Sequence, residues 1–179
     1  VTTLDQTNPD VAIAYDTLIQ VSREVQAEGW TFNTEYKVKL TPDTNDQIVY
    51  PSNVLQINLS DGEGYGSKAA IRKNDKLYDR VNHTDIWTDE TVKVDIVYFY
   101  DWIDLPIPIQ DFITARAAAI VSTRIVGDAE QHKYLSTREE LARANALEYE
   151  CNQGNYTYFG HPRGNNNYVS YQPYKALHR

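Results

Sequence analysis

The chain has 179 residues, with 25 Asp and Glu against 17 Lys and Arg, and so a net charge of −8. A chain of this length makes one domain or two small ones and buries ~70% of its unfolded surface, so it folds without disulfides. One cysteine, Cys151, excludes an intramolecular disulfide, and the scattered His83, His132, His161 and His178 argue against a structural zinc site. No apolar run exceeds five residues, so nothing reads as a membrane span, and no signal peptide is visible. The acidic balance disfavours ordinary duplex-DNA binding, which needs Lys and Arg against phosphates; it does not exclude a protein that DNA must slide past, and plain solubility is its usual meaning. The chain begins at Val1 and contains no methionine, so a natural start is expected upstream.

In chain order, the first element reads as a helix. Asn8 caps it and Pro9 suits its first position. Val11, Leu18 and Val25 recur every seven residues, with Ala14 or Tyr15 and Val21 or Ser22 between them, an apolar stripe on a helix of about 20 residues. Gly29 stops it. In "GWTFN" (29–33), Trp30 and Phe32 read as an aromatic plug that closes the junction between this helix and a following strand.

From about residue 35 to 100 the apolar period becomes two. Tyr36, Val38 and Leu40 alternate with Lys37 and Lys39; Leu55, Ile57 and Leu59 with Gln56 and Asn58; Val92, Val94 and Ile96 with Lys93 and Asp95. Pro42-Asp43, Asp61-Gly62 and Asn74-Asp75 punctuate the block, the marks of half-buried antiparallel hairpins. "IRKNDKLYDR" (71–80) is the clearest hairpin, turning at Asn74-Asp75.

Helix returns after Pro106 and Pro108. Residues 107–127 are Ala-rich and apolar on most sides, so deep burial is expected, with Gly127 as a left-handed C-cap. A third helix is expected over 129–152. Leu135, Ala142 and Tyr149 form its stripe, Leu141, Ala144 and Leu147 lie beside it, and Glu and Arg fill the outside. The fold class is therefore α+β. An antiparallel helical bundle (1–33 and 103–153) carries an inserted antiparallel β domain (34–102) and an extended C-terminal tail (154–179). A single layer of helices over one sheet face is the alternative packing.

Few motifs suggest chemistry. "DGEGYGS" (61–67) is glycine-rich but runs into a hairpin rather than a helix, so it reads as a hairpin loop and not a phosphate cradle. Residues 60–67 are a candidate contact loop. "DTNDQ" (43–47) and "DGEG" (61–64) lack the EF-hand spacing and read as solvated turns. Asp85, Asp89 and Glu90 are a chance cluster more readily than a glycosidase pair. Cys151, with no histidine near it in sequence, reads as a buried structural cysteine. No catalytic, cofactor-binding or metal-binding residue is assigned, and no cofactor is implied.

The tail differs from everything before it. Residues 155–179 hold five tyrosines (Tyr156, Tyr158, Tyr168, Tyr171, Tyr174) and no acidic residue. Tyr168, Tyr171, Tyr174 and Leu177 are spaced by three, so in a polyproline II segment they share one face. Pro173 favours that state, and Gly164 with Asn165, Asn166 and Asn167 makes a hinge before it. With Arg163, Lys175 and Arg179, the tail reads as a segment that orders on a partner: tyrosines fill grooves and basic groups meet acids.

The chain also resembles a known family. "GWTFN" (29–33), "LTPD" (40–43), "IVYPSNVLQI" (48–57), "LYDR" (77–80), "VKVDIVYFYDWIDLP" (92–106), "RIVGDAE" (124–130) and "EYE" (148–150) occur in the order seen in the tail tubular protein A family. These are the head-to-tail adaptors of short-tailed, T-seven-like podoviruses. The resemblance covers roughly residues 1–156. It implies a structural virion protein made in the host cytoplasm and placed in the tail at the capsid vertex. It also implies a twelve-fold ring between portal and nozzle, through which DNA passes without specific binding, and no membrane partner. Family members combine a helical bundle with an inserted β domain and carry a further helix ahead of the position of Val1. The resemblance assigns the tail to portal docking, with Tyr156, Tyr158, Tyr168, Tyr171, Tyr174, Leu177, Arg163, Lys175 and Arg179 as the docking residues. Twelve copies at −8 would carry about −96, a wall that repels phosphates and lets DNA slide. A carbohydrate-binding or carbohydrate-hydrolysing tail component is the alternative that exposed tyrosines and carboxylates would suit.

Overall fold

The computed structural model describes residues 8–60, 65, 68–88 and 91–154. Helix α1 spans Pro9–Gln26, where Asn8 Oδ1 accepts from Asp10 N at 3.0 Å and Pro9 opens the first turn. A 3-10 turn (Thr31–Asn33) leads into β1 (Thr34–Leu40), followed by β2 (Val54–Leu59), β3 (Ala70–Lys73), β4 (Lys76–Asp79) and β5 (Val92–Tyr98). A second 3-10 turn (Trp102–Asp104) precedes α2 (Ile107–Ile125) and α3 (Ala129–Gly154). The class is α+β, with a three-stranded sheet in the order β1-β5-β2 and the hairpin β3-β4, antiparallel throughout.

The described residues form two apolar cores. One belongs to the strands: Val92, Val94 and Ile96 of the central strand β5 are fully buried with Ile57, Leu77 and Trp87, whose indole donates to Leu77 O at 2.9 Å. The other belongs to the helices: Val21 and Val25 of α1, Ile109, Phe112, Ile113 and Ala117 of α2, and Ala146 of α3 close around Trp30 and Leu105. α2 is the middle helix, packed on α1 and on α3, which is why its sequence is apolar on most sides. It ends as its glycine demands: Gly127 has φ +69° and its N–H returns to Ser122 O at 3.0 Å. Asp128 then caps α3 by accepting from Glu130 N at 2.9 Å.

The hairpin turns where the sequence places it. Asn74 and Asp75 both have positive φ, at 53° and 56°, the geometry whose twist matches two right-twisted strands. Elsewhere bulges disturb the simple alternation. The β1–β5 register shifts between Glu35 and Val38, where Lys37 has φ +56° and its N–H is held by Asp95 Oδ1 at 2.9 Å. Tyr36, expected with Val38 and Leu40, is consequently 50% exposed. A second shift between Val54 and Gln56 makes Val54 rather than Leu55 the residue buried with Ile57.

α3 shows two corrections. Only one of its stripes is covered, the one that runs through Leu135, Ala142, Ala146, Tyr149 and Glu150. Leu141 and Leu147 therefore stay exposed instead of extending the packed face. Cys151 is exposed rather than buried, because one residue past Glu150 the helix has turned about 100° away from α2.

The two cores are joined by side-chain amides. Gln26, with no exposed surface, donates to Tyr100 O (3.1 Å) and Ser22 Oγ (3.0 Å) and accepts from Tyr100 N (2.8 Å). Asn33, equally buried, donates to Gln26 O (2.9 Å) and Tyr98 O (2.8 Å) and accepts from Trp30 N (2.9 Å). Gln26→Leu keeps the volume but strands both the N–H and the C=O of Tyr100. We expect a loss of about 3 kcal/mol in unfolding free energy, read as a lower urea midpoint at unchanged m-value.

Asp79 ties the loop after β4. Its carboxylate accepts from Ala69 N (3.2 Å), Val81 N (2.9 Å) and Asn82 Nδ2 (2.6 Å). Burial alone would push its pKa up, but these hydrogen bonds outweigh it and hold the group below the ordinary 3.8. A depressed folded pKa contributes stability that is complete above 3.8 and is lost as pH falls through the folded value. Asp79→Asn should therefore flatten the acid limb of the stability–pH curve below about pH 4 and leave its neutral limb parallel to wild type.

Candidate assembly surface

After β5 the chain runs beside α1: Tyr98 packs against the strand core and Tyr100 against the helical core, while Phe99 and Trp102 belong to neither. Residues 99–102 lie beside α1 and form with it a groove of about 710 Å³, walled by Tyr15, Leu18, Ile19, Phe99, Tyr100 and Trp102. Its rim carries Asp16, Glu24 and Asp101. Among the described residues Arg23 is the basic side chain that lines it, with its guanidinium 5.9 Å from the centre of the Phe99 ring. Tyr98 and Tyr100 stack at 6.2 Å, and burial first, then the charge of Glu35, pushes both phenols above the ordinary 10.0, so they stay neutral.

Beyond the groove an apolar ridge projects. Ile103 is 85% exposed and Ile107 73%, next to Trp102 at 41%. The ridge is held rigidly, since Gln110 Nε2 donates to Trp102 O and Leu105 O, both at 2.9 Å. Its flanking charges are Asp101 and Asp104, and no Lys or Arg occurs from residue 94 to 115 or from 8 to 22. The groove and ridge form an apolar surface with Asp16, Asp101 and Asp104 at its edge, Arg23 laid on Phe99 and Glu24 paired with Arg116 at 3.5 Å, and they are the candidate contact surface of the described residues.

Of the residues singled out in the sequence, Trp30 is buried in the helical core and donates its indole N–H to Val25 O at 2.6 Å. Phe32 packs against the same core with its ring 6.3 Å from Tyr100, so it backs one wall of the groove. Next to it Glu150 of α3 accepts from Thr31 N at 2.9 Å and from the Thr31 hydroxyl, pinning the end of α3 to this junction. Tyr156, Tyr158, Tyr168, Tyr171, Tyr174, Leu177, Arg163, Lys175 and Arg179 lie outside the described residues, as do Asp89, Glu90 and most of the 61–67 loop. Alternation alone does not place "VYFYDWID" (97–104); aromatic residues at both parities of a strand end are the signal that some leave the core.

The carboxylates of the β region are engaged as ties. Asp43 accepts from Asn45 N and Gln47 N, Asp95 from Lys37 N and Ser60 Oγ, and Asp85 from Gln47 Nε2. Among the described residues no group of three or more His, Cys, Asp or Glu is placed to hold a metal ion, and no helix is long and apolar enough to cross a membrane.

Comparison with known proteins adds one finding. The sequence model of a family described as tail tubular protein matches residues 1–156, a span that takes in every described element. No curated protein matches the chain.

Proposed function

Because the chain belongs to the tail tubular protein family, and so is a structural component of the phage tail, we propose that it is an A-type, head-to-tail adaptor of a short-tailed, T-seven-like phage. In this reading copies of the chain, twelve by the family's pattern, form a ring at the capsid vertex between portal and nozzle. DNA leaves through its centre. The helical segments 1–33 and 103–153 act as one unit and residues 34–102 as a second. The protein is made in the host cytoplasm and performs no catalysis.

The observation that carries the reading is the family match across residues 1–156. The order of the strings from "GWTFN" to "EYE" supports the A-type assignment. The acid-edged groove and the ridge of Trp102, Ile103 and Ile107 support assembly, since a chain working alone gains nothing from leaving three large apolar side chains in water. The tail 155–179, basic and rich in tyrosine, supplies the portal contact: tyrosine rings give large contact area for little lost entropy. A sugar-active role gains no support from Asp43, Asp79 and Asp95, whose carboxylates are taken up in holding loops and the β1 bulge.

The test is binding to the portal ring of the same phage, followed by negative-stain imaging. The full chain should add a ring to the portal, and a version ending at Gly154 should fail to do so. Capping by both would keep the adaptor role and remove the tail from portal docking. Capping by neither would overturn the adaptor role.

A further inference from the structure

The register of the small sheet defines a second exposed face. β3 pairs Ile71 with Tyr78 and Lys73 with Lys76, and residues 48–50 add a bridge between Val49 and Lys76. Ile48, Tyr50 and Leu77 point into the core at 2%, 7% and 0% exposure. By the alternation of strands, Val49, Ile71, Lys73, Lys76 and Tyr78 then share the opposite face. Val49 is 67% exposed there and Ile71 36%, an apolar content that the solvent side of a sheet does not need. The Lys73 ammonium sits 4.2 Å from the centre of the Tyr78 ring, which sets it in place over the face.

The charge of this region is opposite to that of the groove. Residues 68–80 carry Lys68, Arg72, Lys73, Lys76 and Arg80 against Asp75 and Asp79. Asp79 is 2% exposed and spent on its loop, and Asp75 is bound by Arg72, which the register places with Leu77 on the other face. Lys68 lies over Trp87, so the cations left to this face are Lys73, Arg80 and Lys76, the last paired with Asp85 at 3.9 Å. One chain thus presents a basic, apolar face on its strand core and an acidic, apolar groove on its helical core. We propose that the β3-β4 face of one copy seats on the groove and ridge formed by α1 and residues 99–107 of the next copy. The proposal rests on the tail-ring reading and names the surfaces it would use.

Two arguments select a second copy as the occupant. The patches complement each other in sign while each is apolar at its centre, which favours contact between copies of a chain whose net charge of −8 otherwise repels its own kind. The patches also differ and sit on separate cores, so their union is head-to-tail. Such contacts propagate into a ring or tube instead of closing a two-fold dimer, and the family is that of tail tubes.

Two charge-reversal pairs test it in the full chain: Lys73→Glu with Arg80→Glu on the β face, and Asp16→Lys with Asp101→Lys on the groove. All four side chains are exposed and outside the cores, and thermal unfolding checks that folding is retained. Assembly is read by sedimentation velocity for the chain alone and by negative stain on portal rings. Each variant alone should lose about tenfold or more in association, because like charges then face each other. An equimolar mixture should recover it, since every contact in an alternating ring then pairs opposite charges. Assembly of each variant at wild-type strength, or failure of the mixture to recover, overturns the pairing while leaving the ring intact. A wild-type chain that assembles neither alone nor on portals overturns the ring reading, and the pairing falls with it.

Discussion

Two side-chain amides decide how the halves of this molecule sit together. Gln26 closes a two-way bond with the backbone of Tyr100, and Asn33 bridges Gln26 O to Tyr98 O. Both side chains are fully buried. In a dry setting each such bond is worth more than in water, and each unpaired partner costs more. The clasp therefore permits one arrangement of α1 against the exit of β5 and penalises any other. Apolar packing alone, which tolerates sliding, would not do this.

Position at this joint has consequences further along the chain. Trp30 and Phe32 fill the space under the clasp, and Glu150 fastens α3 to the same turn through Thr31. Residues 99–107 leave the joint immediately and are locked by Gln110. The groove walls come from α1 and from this locked segment, so the clasp also sets the groove's width. A contact surface built on a fixed joint loses little entropy when it binds, which suits repeated, identical contacts between subunits.

Much of the fold was legible because local chemistry and burial agree. Asn8-Pro9 marks a helix start, Asn74-Asp75 a tight hairpin, and Gly127 a left-handed helix end, each by a backbone requirement that few residues meet. Tyr36 and Leu55 were misread because a bulge changes which side chain points inward, and nothing in the residues themselves announces the bulge at Lys37. Leu141, Leu147 and Cys151 stay outside because a helical stripe gives a face but not its width, and among the described elements it is α2 that α3 packs against along most of its length. The clasp was illegible for a different reason. Gln26 and Asn33 look like ordinary polar residues at a helix end, and their value lies in partners more than sixty residues away, Tyr98 and Tyr100.

Net charge conceals the pattern that matters most for assembly. At −8 the chain reads as uniformly acidic, yet five of its basic groups fall on residues 68–80 around the β3-β4 hairpin, and residues 94–115, which hold a groove wall and the ridge, contain none. Screening confines such effects to about 8 Å at physiological salt, so a distant approach senses the total charge and a close one senses the patches. Copies would then repel at random orientations and attract in one. On the proposed ring reading, the same arrangement would leave the overall negative charge available to a channel surface, where repulsion of phosphates would prevent sticking. In the proposed ring, self-assembly and non-adhesion to DNA would make opposite demands on charge, and segregating the charges within one chain would satisfy both.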